Sequence, residues 1–140
     1  MSAERRSEAK ASIRVLVVDD EDAVRTFAER VLRDAGYETV GASDGPEALT
    51  IAQQQGPFDL LLADVVMPQM LGDELARRVR QVEPDVKVLY LTGNSDQIFK
   101  ERTTLWEGEA FLDKPTSVKG LLEAVSLMLF GHLEGRPKPP

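Results

Sequence analysis

The period of the apolar positions changes repeatedly along the chain. Residues 13–18 (IRVLVV) form a β-branched apolar run of strand length. From Asp22 the pattern turns helical. Val24, Phe27, Ala28, Val31 and Leu32 fall at i, i+3, i+4, i+7 and i+8, so one stripe is expected to face inward. Gly36 is placed to cap that helix at its carboxyl end. Residues 39–42 read as a second strand. Asp44-Gly45-Pro46 breaks it and opens a second helix, with proline in its first turn and Ala48, Leu49 and Ala52 inward. Residues 60–63 are a third apolar strand. Residues 73–82 predict a third helix with Leu75, Val79 and Val82 inward, stopped by Pro84. Residues 86–91 (VKVLYL) give the fourth strand, residues 96–106 a more polar helix, and residues 110–112 the fifth strand. Ser117 caps a last helix that buries Leu121, Leu122, Val125, Met128 and Leu129.

Five short strands thus alternate with five helices. The first, third and fourth strands are apolar throughout, as strands covered on both faces are. The expected architecture is an α/β three-layer sandwich around a mostly parallel sheet with right-handed crossovers. Residues 1–12 read as a flexible arm and residues 131–140 (GHLEGRPKPP) as a tail or linker, leaving a folded unit at 13–130.

Composition narrows the function classes. With 42% hydrophobic and 29% charged residues, the 140-residue chain supports one core and reads as a soluble globular domain. A net charge of −7 argues against direct nucleic-acid binding through a basic surface. No apolar run approaches a membrane span and no signal-peptide pattern opens the chain, so a cytoplasmic location is expected. The absence of cysteine removes disulfides, thiolate metal sites and thiol nucleophiles. The single histidine, His132 in the tail, leaves no basis for a zinc site or a Ser-His-Asp triad.

Ligands of open α/β sheets bind at the carboxyl ends of the strands. The first strand ends in Asp19-Asp20-Glu21-Asp22, the third in Asp64 and the fourth in Thr92, and the fifth is followed by Lys114-Pro115. Singly, each has a bland explanation: helix-start charge, a turn, a cap, a solvated lysine. Together they bring three carboxylates, a hydroxyl and an ammonium to one sheet edge. Clustered carboxylates repel one another, so some must be neutralised or bind a cation. An all-oxygen donor set suits a hard ion, Mg2+ or Mn2+. A carboxylate can also be the nucleophile in phosphoryl transfer, with metal, ammonium and hydroxyl each taking one oxygen of the transferred group.

The blocks VLVVDDE, LLLADVVMPQMLGDEL, VLYLTG and FLDKP resemble the signature blocks of response-regulator receiver domains. The resemblance spans residues 13–130, and the spacings from Asp20 to Asp64 and from Thr92 to Lys114 are those of the family. It implies a flavodoxin-like fold with strand order 2-1-3-4-5. It implies that Asp64 accepts a phosphoryl group from a histidine kinase or phosphotransfer protein. Asp20 would ligate Mg2+ directly, Asp19 through a water, with Asp64 and the backbone carbonyl of Val66 as further ligands. Lys114 would pair with the phosphoryl group and Thr92 would swing to bond it. Phe111 matches the aromatic switch residue, and Lys114-Pro115 would be a cis peptide. The helix at 96–106, the fifth strand and the last helix would form the face that meets a downstream protein, an attached domain or a second copy of the chain. The stretch from Leu71 to Phe99 resembles receivers attached to hybrid sensor kinases.

Three features depart from a generic member. Val66, two residues after Asp64, is apolar where relatives often carry a polar group, so slow autodephosphorylation is expected. Gly93 follows Thr92 and leaves access to the phosphoryl group. Phe111 lacks a hydroxyl and would signal by packing alone. Two other classes compete: a degenerate receiver that only binds partners, and an aspartate-nucleophile phosphatase of the haloacid-dehalogenase type. The latter needs a second aspartate two residues after the nucleophile, where Val66 stands. The expected role is therefore a switch that assists only its own phosphorylation and dephosphorylation.

Overall fold

A computed structural model of the chain describes residues 13–93, 105 and 107–131. Five strands, β1 (Arg14–Val18), β2 (Glu38–Ala42), β3 (Leu60–Asp64), β4 (Lys87–Thr92) and β5 (Glu109–Asp113), form one sheet of order β2-β1-β3-β4-β5. All neighbouring strands run parallel. Four helices are described: α1 (Asp22–Asp34), α2 (Gly45–Gln55), α3 (Gly72–Val82) and α4 (Val118–Phe130). The expected helix at 96–106, apart from Leu105, lies outside the described residues, as do the expected arm at 1–12 and all of the tail except Gly131.

Period-two alternation divides the strand side chains between two cores. Leu16, Val18, Leu61, Ala63, Val88 and Tyr90 pack with α2 and α3, through Ala48, Ala52, Leu75 and Val79. Val15, Val17, Leu60, Leu62, Leu89 and Leu91 pack with α1 and α4, through Ala28, Leu32, Leu121 and Val125. β3 is buried at all five positions, so its sequence has no polar face.

Local signals set the ends. Asp44 accepts a hydrogen bond from the Glu47 amide, and Ser117 from the Gly120 amide, as N-caps do. At the end of α1, the Tyr37 amide reaches the Leu32 carbonyl and the Gly36 amide reaches Arg33, with Gly36 at φ 102°. That is a Schellman closure, and the positive φ explains the glycine. Two side chains expected inward are not. Phe27 is 37% exposed and Val82 45%, each at the rim of its helix stripe. Asp64 and Thr92 lie inside their strands rather than after them, since Asp64 pairs with Leu91 and Thr92 with Asp113.

Candidate functional site

The carboxyl ends of β1, β3, β4 and β5 carry the site. β1 runs into Asp19, which is fully buried, and Asp20, which is exposed. The Asp19 carboxylate is fixed from both sides. Its Oδ1 accepts from the Glu21 amide at 2.9 Å, an Asx turn that leads into α1. Its Oδ2 lies 3.0 Å from Lys114 Nζ. Arg25 on the first turns of α1 donates to the Asp19 carbonyl at 2.7 Å and holds the turn down. Asp64 closes β3 and is 5% exposed. The carboxylates of Asp19, Asp20 and Asp64 bring ligand oxygens within 4.8 Å of one another.

Lys114 reaches across from the end of β5. Its ammonium lies 3.2 Å from Asp64 Oδ1 and 3.7 Å from Glu21 Oε1. The Lys114–Pro115 bond is cis, as the family resemblance implied. The Lys114 amide donates to the Thr92 carbonyl, so β4 steers the start of that turn.

The electrostatics follow from the crowding. Four carboxylates, those of Asp19, Asp20, Glu21 and Asp64, gather around one ammonium, leaving the site with surplus negative charge. Burial, and then the Asp19 charge, push the Asp64 carboxyl up to about 7, although the Lys114 charge and bond pull the other way. Burial alone would lower the Lys114 pKa. The bond to Asp19 and the charges of Asp64 and Asp19 more than reverse that and hold it above the usual lysine value. The ammonium therefore stays charged, and the surplus carboxylate is what holds a proton. A divalent cation would offset the surplus negative charge in place of that proton. Asp19 Oδ2 is buried and has no hydrogen-bond partner beyond the Lys114 charge. A hard oxygen-ligated ion fits this donor set.

The loop after Asp64 is tightly built. The Met70 amide donates to the Pro68 carbonyl at 2.8 Å around Gln69, which has φ 73°. This is a γ-turn in the strained left-handed region. Val66, two residues after Asp64, opens the loop and is 52% exposed. Gly72 then starts α3 against the backbone of β3. Its amide donates to the Val65 carbonyl at 2.8 Å, and a methyl there would lie 2.5 Å from the Asp64 carbonyl oxygen. Only glycine lets α3 approach so closely.

Thr92 and Phe111 stand apart from this cluster. The Thr92 hydroxyl, fully buried, donates to Asp113 Oδ1 at 2.9 Å across the β4–β5 pair. Phe111 packs on Tyr90 with ring centroids 5.6 Å apart. The structure thus brings Asp19, Asp20, Asp64 and Lys114 together and holds Thr92 on β5's carboxylate. Sequence reasoning missed Gly72, Arg25 and Asp113. Asp113 had a signal, since it is the last residue before Lys114 as Thr92 is the last of β4, and parallel strands that end level pair the two.

Comparison with known proteins agrees with this fold. Residues 15–126 match the model of the response regulator receiver domain family. The chain is 38% identical over 127 residues to the sensor kinase CckA of Brucella abortus, covering 90% of this chain and 13% of that protein. It is 34% identical to the response regulator receiver protein CpdR of the same organism, covering 83% of this chain and 96% of CpdR. Among solved structures, the receiver domain of the hybrid histidine kinase CckA is 39% identical with a TM-score of 0.71, covering 83% of this chain and 98% of that one. The chemotaxis protein CheY4 of Vibrio cholerae is 34% identical with a TM-score of 0.75, covering 84% and 98%. Among the described residues no helix is long and apolar enough to cross a membrane.

Proposed function

The chain belongs to the response regulator receiver domain family of two-component signalling, and on that premise we propose that Asp64 is its phosphoryl acceptor. The observation that carries the reading is the placement of the Lys114 ammonium between Asp19 and Asp64, at 3.0 and 3.2 Å, in a pocket with surplus negative charge. The donor is a phosphohistidine of a kinase or phosphotransfer protein. A carboxylate oxygen of Asp64 attacks phosphorus, the phosphorus–nitrogen bond breaks, and its electron pair returns to the imidazole. The product is an acyl phosphate on Asp64.

Each residue has a role in that step. Asp19, Asp20, Asp64 and the Val66 carbonyl would hold Mg2+ or Mn2+. The ion supplies positive charge against the phosphoryl oxygens. Lys114 neutralises a further oxygen and keeps Asp64 oriented. Thr92 takes the remaining oxygen once its hydroxyl turns, and Phe111 follows it, changing the face presented by β5 and α4. The chain acts on itself and turns over no external substrate.

A groove of about 490 Å3 opens beside Lys114, lined by Val24, Phe27, Leu91, Pro115 and Leu121. Its apolar wall and the exposed Phe27 suit a protein donor better than a small molecule. Downstream partners, an attached effector domain or a second copy, would read the altered β5–α4 face.

The test is intact-mass spectrometry after incubation with Mg2+ and a small phosphodonor such as acetyl phosphate. One phosphoryl group that is absent from Asp64→Ala supports the reading. No adduct with any donor would leave a partner-binding module instead. Turnover of many donors per chain without an adduct would point to a phosphatase.

A further inference from the structure

The bond between Thr92 and Asp113 has a consequence for how the switch is poised. A threonine hydroxyl has one proton to give. In this structure that proton goes to a carboxylate oxygen, Asp113 Oδ1, at 2.9 Å. The donor is fully buried and the acceptor lies at the exposed end of β5. Register brings the two side chains together, because Thr92 and Asp113 are direct partners in the β4–β5 ladder and their side chains share a face. Tyr90 and Phe111, the preceding pair on that face, are also register partners. The Thr92–Asp113 pair therefore shares a face of the sheet with the aromatic pair, while Lys114 lies against Asp19 and Asp64.

We propose that Asp113 is a positioning residue that restrains the switch hydroxyl of Thr92 in the unphosphorylated chain. The inference rests on the acceptor reading of Asp64. A phosphoryl oxygen on Asp64 and the Asp113 carboxylate compete for one proton, so activation must break a charge-assisted hydrogen bond before it makes another. The bond lowers the population of the active arrangement, and any group on Asp64 must supply enough differential binding to overcome it. The immediate neighbour of Lys114 thereby sets the threshold of the switch without touching the phosphoryl group.

The test has two readouts. The first is the Thr92 side-chain rotamer in the unmodified protein, from three-bond nuclear magnetic resonance couplings. Asp113→Ala should turn a single rotamer into an averaged one. Asp113→Asn, which keeps a neutral acceptor oxygen, should lie between. The second is the affinity for beryllofluoride with Mg2+, by calorimetry, in a double-mutant cycle with Thr92→Val. Asp113→Ala should tighten binding about fivefold, the order of one partly exposed charged hydrogen bond. In the Thr92→Val background the same change should do almost nothing, because the hydroxyl is already gone. A general loosening of β5 would act equally in both backgrounds, and that result would overturn the proposal. So would an unchanged rotamer, or equal affinity of Asp113→Ala and the unaltered protein. No beryllofluoride uptake by the unaltered protein would instead overturn the acceptor reading, and the restraint with it.

Discussion

Arg14 and Lys114 stand at opposite ends of the same sheet, and each cation has carboxylates around it, with different results. At the amino ends, Arg14 donates to the carbonyls of Gln55 and Pro57, stacks 4.4 Å over the Phe58 ring, and pairs with Glu38. Its amide donates to Asp59 Oδ2, while Glu83 Oε2 accepts from the Phe58 amide at 2.7 Å. Here charged groups meet backbone groups and close the loop between α2 and β3. At the carboxyl ends the carboxylates meet one another, with one ammonium among them. Burial raises the pKa of both Glu83 and Asp64, but the next influence differs in sign. A backbone N–H pulls Glu83 down again, whereas the Asp19 charge pushes Asp64 further up to about 7. One end is charge used for structure. The other is charge left surplus, which only a cation or a proton can relieve.

Two glycines give the sharpest way to break this comparison. A methyl on Gly72 would strike the Asp64 carbonyl oxygen, and one on Gly56 would lie 2.6 Å from the Ala52 carbonyl oxygen. Gly72→Ala and Gly56→Ala should each cost about 1–3 kcal/mol in urea denaturation, as forced overpacking does. Only Gly72→Ala should also slow phosphorylation, because only there does the displaced backbone carry Asp64. Equal loss of phosphorylation in both variants would erase the distinction between the ends.

Glu83→Ala leaves the Phe58 amide without its acceptor and should cost about 1–3 kcal/mol, with the phosphorylation rate unchanged. A matched loss of phosphorylation would show that the two ends are coupled.

The surplus charge should appear in the pH dependence of stability. Asp64 has an ordinary pKa of 3.8 and titrates near 7 in the fold, so the folded chain holds its proton more tightly than the unfolded chain. Its contribution is fully present below about pH 4 and is lost as pH rises to about 7. Metal-free protein should therefore melt lower at pH 7 than the rest of the chain would dictate. Asp64→Asn should remove that fall. Mg2+, which competes with the proton, should raise the melting point more at pH 8 than at pH 5. Equal stabilisation at both values would contradict the surplus-charge account.

The smallest expected effect concerns Val66, whose exposed apolar side chain cannot align water beside Asp64. Val66→Asn should shorten the phosphoryl half-life by roughly tenfold, at or below the low end of what a positioned proton acceptor supplies. An unchanged half-life would remove Val66 from the account.

Much of this was legible in the chain. Apolar runs and helical periods placed all five strands and four helices within a residue or so, because β3's unbroken LLLA and α1's stripe leave few alternatives. The strand-end residues Asp19, Asp20, Asp64, Thr92 and Lys114 followed from topology, since parallel strands must end on one edge. What escaped was set by tertiary approach. Gly72 looks like any loop glycine until α3 is packed on Asp64. Phe27 fits the inward stripe, yet it lies at the rim, where it lines the groove beside Pro115 and Leu121. Asp113 reads as a bystander until β4 and β5 are in register. Gly72 and Asp113 stand inside the quoted blocks, but their contacts follow only from the packing of α3 on β3 and the register of β4 with β5.

The most direct measurement locates the phosphoryl group itself. An acyl phosphate is reduced by borohydride to an alcohol, so phosphorylated, reduced and digested protein should yield homoserine in place of aspartate at position 64 alone. Homoserine at Asp19, at Asp20 or at no position would contradict the assignment of Asp64 as the acceptor.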